Sequence, residues 1–449
     1  MGLEIGIGWL TFWMFSTLIF LLLLGLPLAF VTGGLGVVFL FLFGDVQMLH
    51  ILPSRIFPFM TDYQLSAIPL FIFMASVLAA AGLIEELFDV VYKILGGLKG
   101  GLATATIIAS TILAAMVGVI GAAEVTMGII ALPAMLKRKY NPELACGSIL
   151  AGGTLGILIP PSILAIIFAV VAQQSVGELF IGAFFPGFLL SGMYILYVTE
   201  GYGPALPKEE RITVIEKIKL LKGIIAPILL VILVLGVIFS GVATPVEAAG
   251  IGTFGALVVA ALSRKLSWTN IAKAATTTLK ASTMVLWIMF GASIFVGFYI
   301  VNGGQQFVTE SLLGTGLGPY GILMIMMVLL VLLGMFLDWV GILLLAVPIF
   351  APIMRSLPWD GLFGLPGVPP GEVSLWFGVV YMVNMQMSFL SPPFGYALFY
   401  LKSVAPPEIT MGIIFRAAVP FLFLQSVGLA LVVIFPEIIL WLPRLVYGN

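Results

Sequence analysis

Apolar runs fill this chain almost from end to end, and most are about as long as a bilayer is thick. Runs at 7–24, 26–43, 65–83, 144–171, 179–198, 224–238, 246–262, 283–301, 375–401 and 413–434 carry at most one charged residue each. A helix crossing the hydrocarbon core needs about 20 such residues, so the runs predict an all-α polytopic membrane protein. Charge agrees: 9% of the 449 residues are Asp, Glu, Lys or Arg, where a soluble domain carries roughly 25%. So little charge cannot cover a wetted surface. The balance of 19 basic and 20 acidic residues gives a net charge of -1 and no global field suited to nucleic acid. One cysteine and one histidine exclude a disulfide framework, a zinc cluster or iron–sulfur chemistry. Cys146 reads as a small apolar filler and His50, in the connector QMLHIL, as an interfacial residue. The first 43 residues lack a basic leader and a small-residue cleavage site, and so read as retained helices.

Basic residues orient the spans. They cluster at Lys93 and Lys99, at Lys137, Arg138 and Lys139, and at Arg264 and Lys265. A polar loop at 200–222 adds Lys208, Arg211, Lys217, Lys219 and Lys222. The positive-inside rule makes these sides cytoplasmic, which places both termini outside. Two segments are not ordinary spans. Residues 100–136 are rich in small residues, end in lysines on both sides, and are too short for two crossings and a turn. They predict a re-entrant helical hairpin from the cytoplasm. Residues 319–354 are of similar length but are followed by a proline-rich linker at 355–372, which reads as periplasmic. The second hairpin is therefore expected from the opposite side.

The two halves repeat. Each has Pro-x-Met near the end of its hairpin (Pro133, Met135; Pro352, Met354), then a glycine (Gly147; Gly378) and a Pro-Pro pair 13 to 14 residues on (Pro160, Pro161; Pro392, Pro393). Each then has a glutamate (Glu178; Glu408) with a glycine four residues later (Gly182; Gly412). Inverted repeats with interrupted helices are the plan of secondary transporters. Proline removes an amide donor and clashes with the preceding turn. Carbonyls freed in this way inside a bilayer persist only where protein or a wet cavity satisfies them. Such carbonyls with nearby hydroxyls suit sodium, and the half-helix N-termini that follow suit an anion.

Ionisable residues at membrane depth cost about 2.5–3.5 kcal/mol on insertion scales and are functional candidates by default. Glu124 in GVIGAAEVTMG is expected at the tip of the first hairpin, and Asp338 in GMFLDWVG at the tip of the second. Either carboxylate would also serve as a helix cap. Thr154, Ser162, Asn384, Gln386, Ser388 and Ser391 supply oxygens and amides around the breaks. The stretches 85–99 and 268–280 read as interfacial amphipathic arms in matching places.

The strings GTLGILIPPS (153–162), ATPVEAAG (243–250), GMFLD (334–338) and LSPPFG (390–395) lie in order across the chain. Together they resemble the large membrane subunit of tripartite ATP-independent periplasmic (TRAP) transporters. The resemblance implies an elevator-type importer of organic acid anions (carboxylates or sulfonates) in the bacterial inner membrane. Na+ would be the coupling ion, with no organic cofactor. A small four-helix membrane subunit and a periplasmic substrate-binding protein would be its partners. It also implies a first sodium site from Gly118, Glu124, Thr154 and Gly156 and a second from Gly334, Asp338 and Ser388. Substrate would lie among Thr154, Ser162, Asn384, Gln386 and Ser391. Many relatives carry Ser-Gly-Ser-Ser at the first tip, where this chain has Val117, Gly118, Val119 and Ile120. The missing hydroxyls leave open whether Glu124 compensates as a carboxylate or couples a proton.

The expected partition is scaffold helices and a first arm at 1–99, then the first transport half, hairpin and broken helix, at 100–178. Scaffold helices and a second arm follow at 179–282, the second transport half at 283–411, and a C-terminal scaffold helix at 412–449. A stand-alone sodium or proton symporter of the same fold is the alternative. A channel fits poorly, since no ring-type filter is apparent and inverted halves argue for alternating access. An intramembrane enzyme would need a nucleophile activated by the interfacial His50.

Overall fold

The computed structural model describes residues 5–44, 46–95, 100–118, 120–199, 214–393 and 395–448. Every regular element among them is helical. Seven helices are long and apolar enough to cross a bilayer alone: Tyr63–Ala80, Val176–Thr199, Pro245–Leu262, Trp268–Val301, Trp339–Ser356, Pro370–Leu390 and Met411–Ile434. Shorter apolar helices include Ile7–Leu23, Leu28–Phe43, Gly101–Met116, Ile163–Ala172, Ile225–Phe239 and Pro319–Gly334. The basic loop expected at 200–222 lies outside the described residues as far as 213, and from Val214 the chain is already helical.

Both long runs that contain a Pro-Pro pair are interrupted helices. The first is Pro142–Thr154, a tight turn at Leu155–Ile157, and then Ile163–Ala172. The second is Val373–Leu390 followed by Tyr396–Val404. The Pro160–Pro161 and Pro392–Pro393 bonds are both cis. A pair of mutually packed helices precedes each: Gly101–Val117 with Ile120–Lys137, and Pro319–Gly334 with Trp339–Ser356. A long helix with one internal proline follows each, Val176–Thr199 (Pro186) and Met411–Ile434 (Pro420).

The arms differ. Leu83–Leu95 is a separate helix, cut from its predecessor at Gly82, whose φ of +65° is left-handed. The expected arm at 268–280 instead runs without interruption into the span at 283–301 as one 34-residue helix, Trp268–Val301. No glycine or proline precedes Gly291 in it, so nothing stops the hydrogen-bond ladder. At 1.5 Å per residue it is about 51 Å long, more than a bilayer core requires.

This helix packs along Leu28–Phe43 by removing side chains from the contact. A β-carbon on Gly291 would lie 2.4 Å from the Ala29 carbonyl oxygen, and one on Gly36 would lie 2.8 Å from Ile294 Cγ2. Helices in lipid gain little by excluding lipid tails, so they rely on such backbone approach. Farther along, the Thr11 and Tyr299 hydroxyls lie 3.0 Å apart and Phe15 stacks edge-on against Phe295. The expected consequence is positional. Gly291→Leu should lower the melting temperature of the detergent-purified protein by several degrees, at a cost of about 1–3 kcal/mol. Gly34→Leu, on the same helix pair but with nothing within 4 Å, should not.

Candidate functional site

Each break is closed locally by a serine. The Ser162 hydroxyl donates to the Ile157 carbonyl at 2.5 Å and accepts from the Ala165 amide at 3.3 Å, capping Ile163–Ala172. Ser391 ends Val373–Leu390 and donates to the Met387 carbonyl at 2.8 Å. Both serines, expected among substrate contacts, thus serve first to satisfy the backbone at the breaks.

The tips of the helix pairs meet these breaks. Gly118 ends Gly101–Val117 with φ +61°, and a β-carbon there would lie 2.6 Å from the Pro161 carbonyl oxygen. Only glycine combines that backbone with that approach at little cost. In the second half a β-carbon on Gly334 would lie 2.2 Å from Ser388 Cβ. Ser388 donates to the Leu330 carbonyl at 3.3 Å, and Asn384 Nδ2 to Met327 at 3.2 Å. The halves also interlock. Ile120–Lys137 packs on Tyr396–Val404, and Trp339–Ser356 packs on Ile163–Ala172. Each helix pair therefore touches the post-break half-helix of the other repeat.

The two acids behave differently. Asp338 is the N-cap of Trp339–Ser356, its Oδ2 accepting from the Val340 amide at 3.3 Å. Glu124 is not at the turn. It is the fifth residue of Ile120–Lys137, fully buried, and rests on Gly153, where a β-carbon would lie 2.1 Å from its Cγ. Neither of its carboxylate oxygens has a hydrogen-bond partner among the described residues. Tyr400 lies within electrostatic reach of both acids, and a β-carbon on Gly121 would lie 3.1–3.3 Å from its ring.

Beside Gly153, Thr154 is the centre of a buried polar group. Its hydroxyl donates to Ala151 at 2.9 Å, lies 3.4 Å from Gln386 Oε1, and accepts from Gln425 Nε2 at 3.3 Å. The Tyr194 hydroxyl faces both Thr154 and Gln425. Gln386 Nε2, Gln425 Oε1 and Asn384 Oδ1 find no partner among the described residues. Unmade hydrogen bonds of this kind cost about 1–3 kcal/mol each, and here they are concentrated beside one break. The structure thus joins Thr154 with Gln386, Glu124 with the Thr154 segment, and Gly334 with Ser388. Gly156 is buried in the first break. Ser162 and Ser391 are engaged locally. Gln425 and Tyr194 were not singled out from the sequence. Gln425, a polar side chain midway along an apolar span, was legible by the same depth argument as Glu124. Tyr194 and Tyr400 were not, because aromatic residues are ordinary in such helices.

Over residues 15–438 the chain matches the family described as Tripartite ATP-independent periplasmic transporter, DctM component. It belongs to that family. It is 30% identical over 458 residues to the C4-dicarboxylate TRAP transporter large permease protein DctM of Vibrio cholerae, covering 97% of this chain and 98% of that one. It is also 30% identical over 443 residues to the ectoine/5-hydroxyectoine TRAP transporter large permease UehC of Ruegeria pomeroyi, covering 97% and 99%. Against the sialic acid TRAP large permease SiaM of Vibrio cholerae, identity is 27% over 434 residues, covering 95% and 97%. Among solved structures the Alcanivorax borkumensis YdaH transporter superposes with a TM-score of 0.61 at 15% identity, covering 87% of this chain and 88% of that one. At that identity the likeness concerns the fold alone. The chain is thus a TRAP large permease, a multi-pass protein of the bacterial inner membrane and not an enzyme.

The contact of Glu124 with Gly153 makes a prediction specific to this permease. Gly153→Ala should lower the melting temperature, because its methyl group occupies the place of Glu124 Cγ. Adding Glu124→Ala should restore most of the loss. A thermal-melt double-mutant cycle in detergent checks the coupling.

Proposed function

We propose that this permease imports an organic acid anion, a carboxylate or sulfonate, using an inward sodium gradient. Its substrate would be delivered by a periplasmic binding protein, and a small four-helix membrane subunit would brace its scaffold. The observation that carries the reading is the buried, unpartnered set around Thr154, Gln386 and Gln425, placed between the two breaks of a TRAP large permease. Backbone and hydroxyl oxygens with one carboxylate nearby, Asp338 at the second tip and Glu124 one turn beyond the first, suit a weakly bound monovalent cation. Among the described residues no three His, Cys, Asp or Glu side chains come together, as a transition-metal site would need.

In this reading one sodium ion binds at Gly118, Thr154 and Gly156 beside Glu124, and a second at Gly334, Asp338 and Ser388. Each seats a tip against a break, and the seated tips complete the anion site around Thr154, Gln386 and Asn384, with Ser162 and Ser391 holding the break backbone. The two helix pairs then act as re-entrant hairpins of opposite orientation and move with the broken helices as an elevator. The long helix Trp268–Val301 packs along Leu28–Phe43, which supports counting residues 283–301 with the static scaffold. The remaining partition follows the sequence expectation. Coupling requires sodium to bind the seated state more tightly than the open one.

Reconstitution tests this directly. Proteoliposomes containing the permease, the small subunit and the binding protein should take up a labelled organic acid only under an inward sodium gradient. Asp338→Asn should reduce that uptake by roughly ten- to a hundredfold, in keeping with about 1.5–3 kcal/mol for a hydrogen bond to a charged group. Unchanged uptake in that variant would sink the second sodium site. Strong uptake without the binding protein would point to a stand-alone symporter.

A further inference from the structure

The two acids beside the breaks have no base to answer them. Glu124 is fully buried and Asp338 half-buried, and neither takes part in an ion pair among the described residues. Bases on the surrounding helices stand far off or are engaged. Lys137 lies 13 residues beyond Glu124 on the same helix, about 20 Å at 1.5 Å per residue. Arg355 lies 17 residues beyond Asp338, about 26 Å on the same count. Lys402, the one base on either post-break half-helix, is in the last turn of its helix and donates to the Ile409 carbonyl at 2.7 Å. Arg416 pairs with Glu143 at 2.6 Å. The buried side chains between the breaks, Thr154, Gln386, Gln425 and Asn384, are polar but uncharged.

The first break is also polarised along its length. Glu124 rests on Gly153, the last residue but one of Pro142–Thr154. Its charge therefore adds to the negative end of that helix, and neither carboxylate oxygen has a hydrogen-bond partner among the described residues. Across the turn, Ile163–Ala172 presents its positive N-terminal end. One side of the break thus calls for a cation and the other suits an anion. A sodium ion at each tip, as proposed above, sets two positive charges against two carboxylates, so the site is neutral before substrate enters. A bound monoanion would leave one uncompensated charge there and a dianion two. Buried charge without a partner is strongly disfavoured. A molecule that carries both signs leaves none.

We propose that Glu124 fixes the charge class of the substrate, which is a zwitterion: a carboxylate or sulfonate that also bears a cationic nitrogen. The nitrogen faces Glu124, and the acid group lies among Thr154, Gln386 and Gln425. Gly153 and Thr154 are neighbours in the chain, with Cα atoms about 3.8 Å apart, so the two poles are as close as the two charges of a short amino acid. The proposal rests on the sodium-driven organic-acid reading and narrows it.

Matched ligand pairs test this. Taurine and propanesulfonate share one heavy-atom skeleton, as do γ-aminobutyrate and pentanoate, and the members of each pair differ by an ammonium in place of a methyl group. Their affinities for the full-length permease with its small subunit are read from the ligand dependence of the melting temperature in detergent, in sodium and in potassium. In sodium the ammonium member of at least one pair should bind roughly tenfold or more tightly than its partner, and succinate should not bind. Glu124→Gln should lower that preference roughly ten- to a hundredfold, the worth of a hydrogen bond to a charged group. It should do so by weakening the ammonium member and not the methyl member. Asp338→Asn should weaken both alike. Equal weakening of both members in Glu124→Gln, with a shallower sodium dependence, would assign the acid to a further sodium ion and overturn the proposal. Methyl members that bind as well as ammonium members overturn it too, and leave the organic-acid reading standing. Binding by no member also counts against it, and organic-acid uptake in proteoliposomes then reports separately on the parent reading.

Discussion

A backbone group inside a bilayer has no water to turn to, and that constraint governs this molecule. Two cis Pro-Pro pairs in the middle of apolar runs interrupt the helical ladder twice. Ser162 and Ser391 close part of each gap, and the tip of a helix pair is brought against or near what remains. Gly118 approaches the Pro161 carbonyl and Gly334 approaches Ser388. The tips therefore cannot be treated as loose connectors. They pack directly against the breaks, at distances that leave no room for a side chain at Gly118 or Gly334.

The reciprocal packing follows from the same demand. Each post-break half-helix is short, ten residues in Ile163–Ala172 and nine in Tyr396–Val404. Isolated helices of that length are marginal, and here each is held by a helix of the opposite repeat. Contact between repeats puts Thr154 of one half 3.4 Å from Gln386 of the other, so the polar centre exists only when both halves are assembled. Gln425 reaches the same centre from the helix that follows the second break. A change in either half is thereby felt at one place.

Glu124 shows how a buried acid is accommodated in an apolar helix. The carboxylate lies one turn into Ile120–Lys137, against Gly153. Its room depends on a glycine in the other segment, so the acid and the glycine form one device although 29 residues separate them. The contrast with Asp338, which caps its own helix, makes the repeats alike in backbone and unlike in chemistry.

Sequence alone determined the helical class, the membrane setting, both interruptions and the order of the repeat. These rest on local rules: apolar length against bilayer thickness, and the inability of proline to continue a helix. It also singled out Thr154, Gln386, Glu124 and Asp338 as candidates, because polar groups at membrane depth are costly wherever they occur. It did not show that the stretch at 268–280 continues into the next span as one helix, since amphipathic composition does not stop a helix that lacks a breaker. Tertiary structure alone decided which polar groups meet, that Gln425 and Tyr194 join them, and that Glu124 lies on Gly153. Those outcomes depend on contacts between residues far apart in the chain, where a few ångströms of helix position separate a satisfied side chain from an unpartnered one. No local pattern encodes that distance.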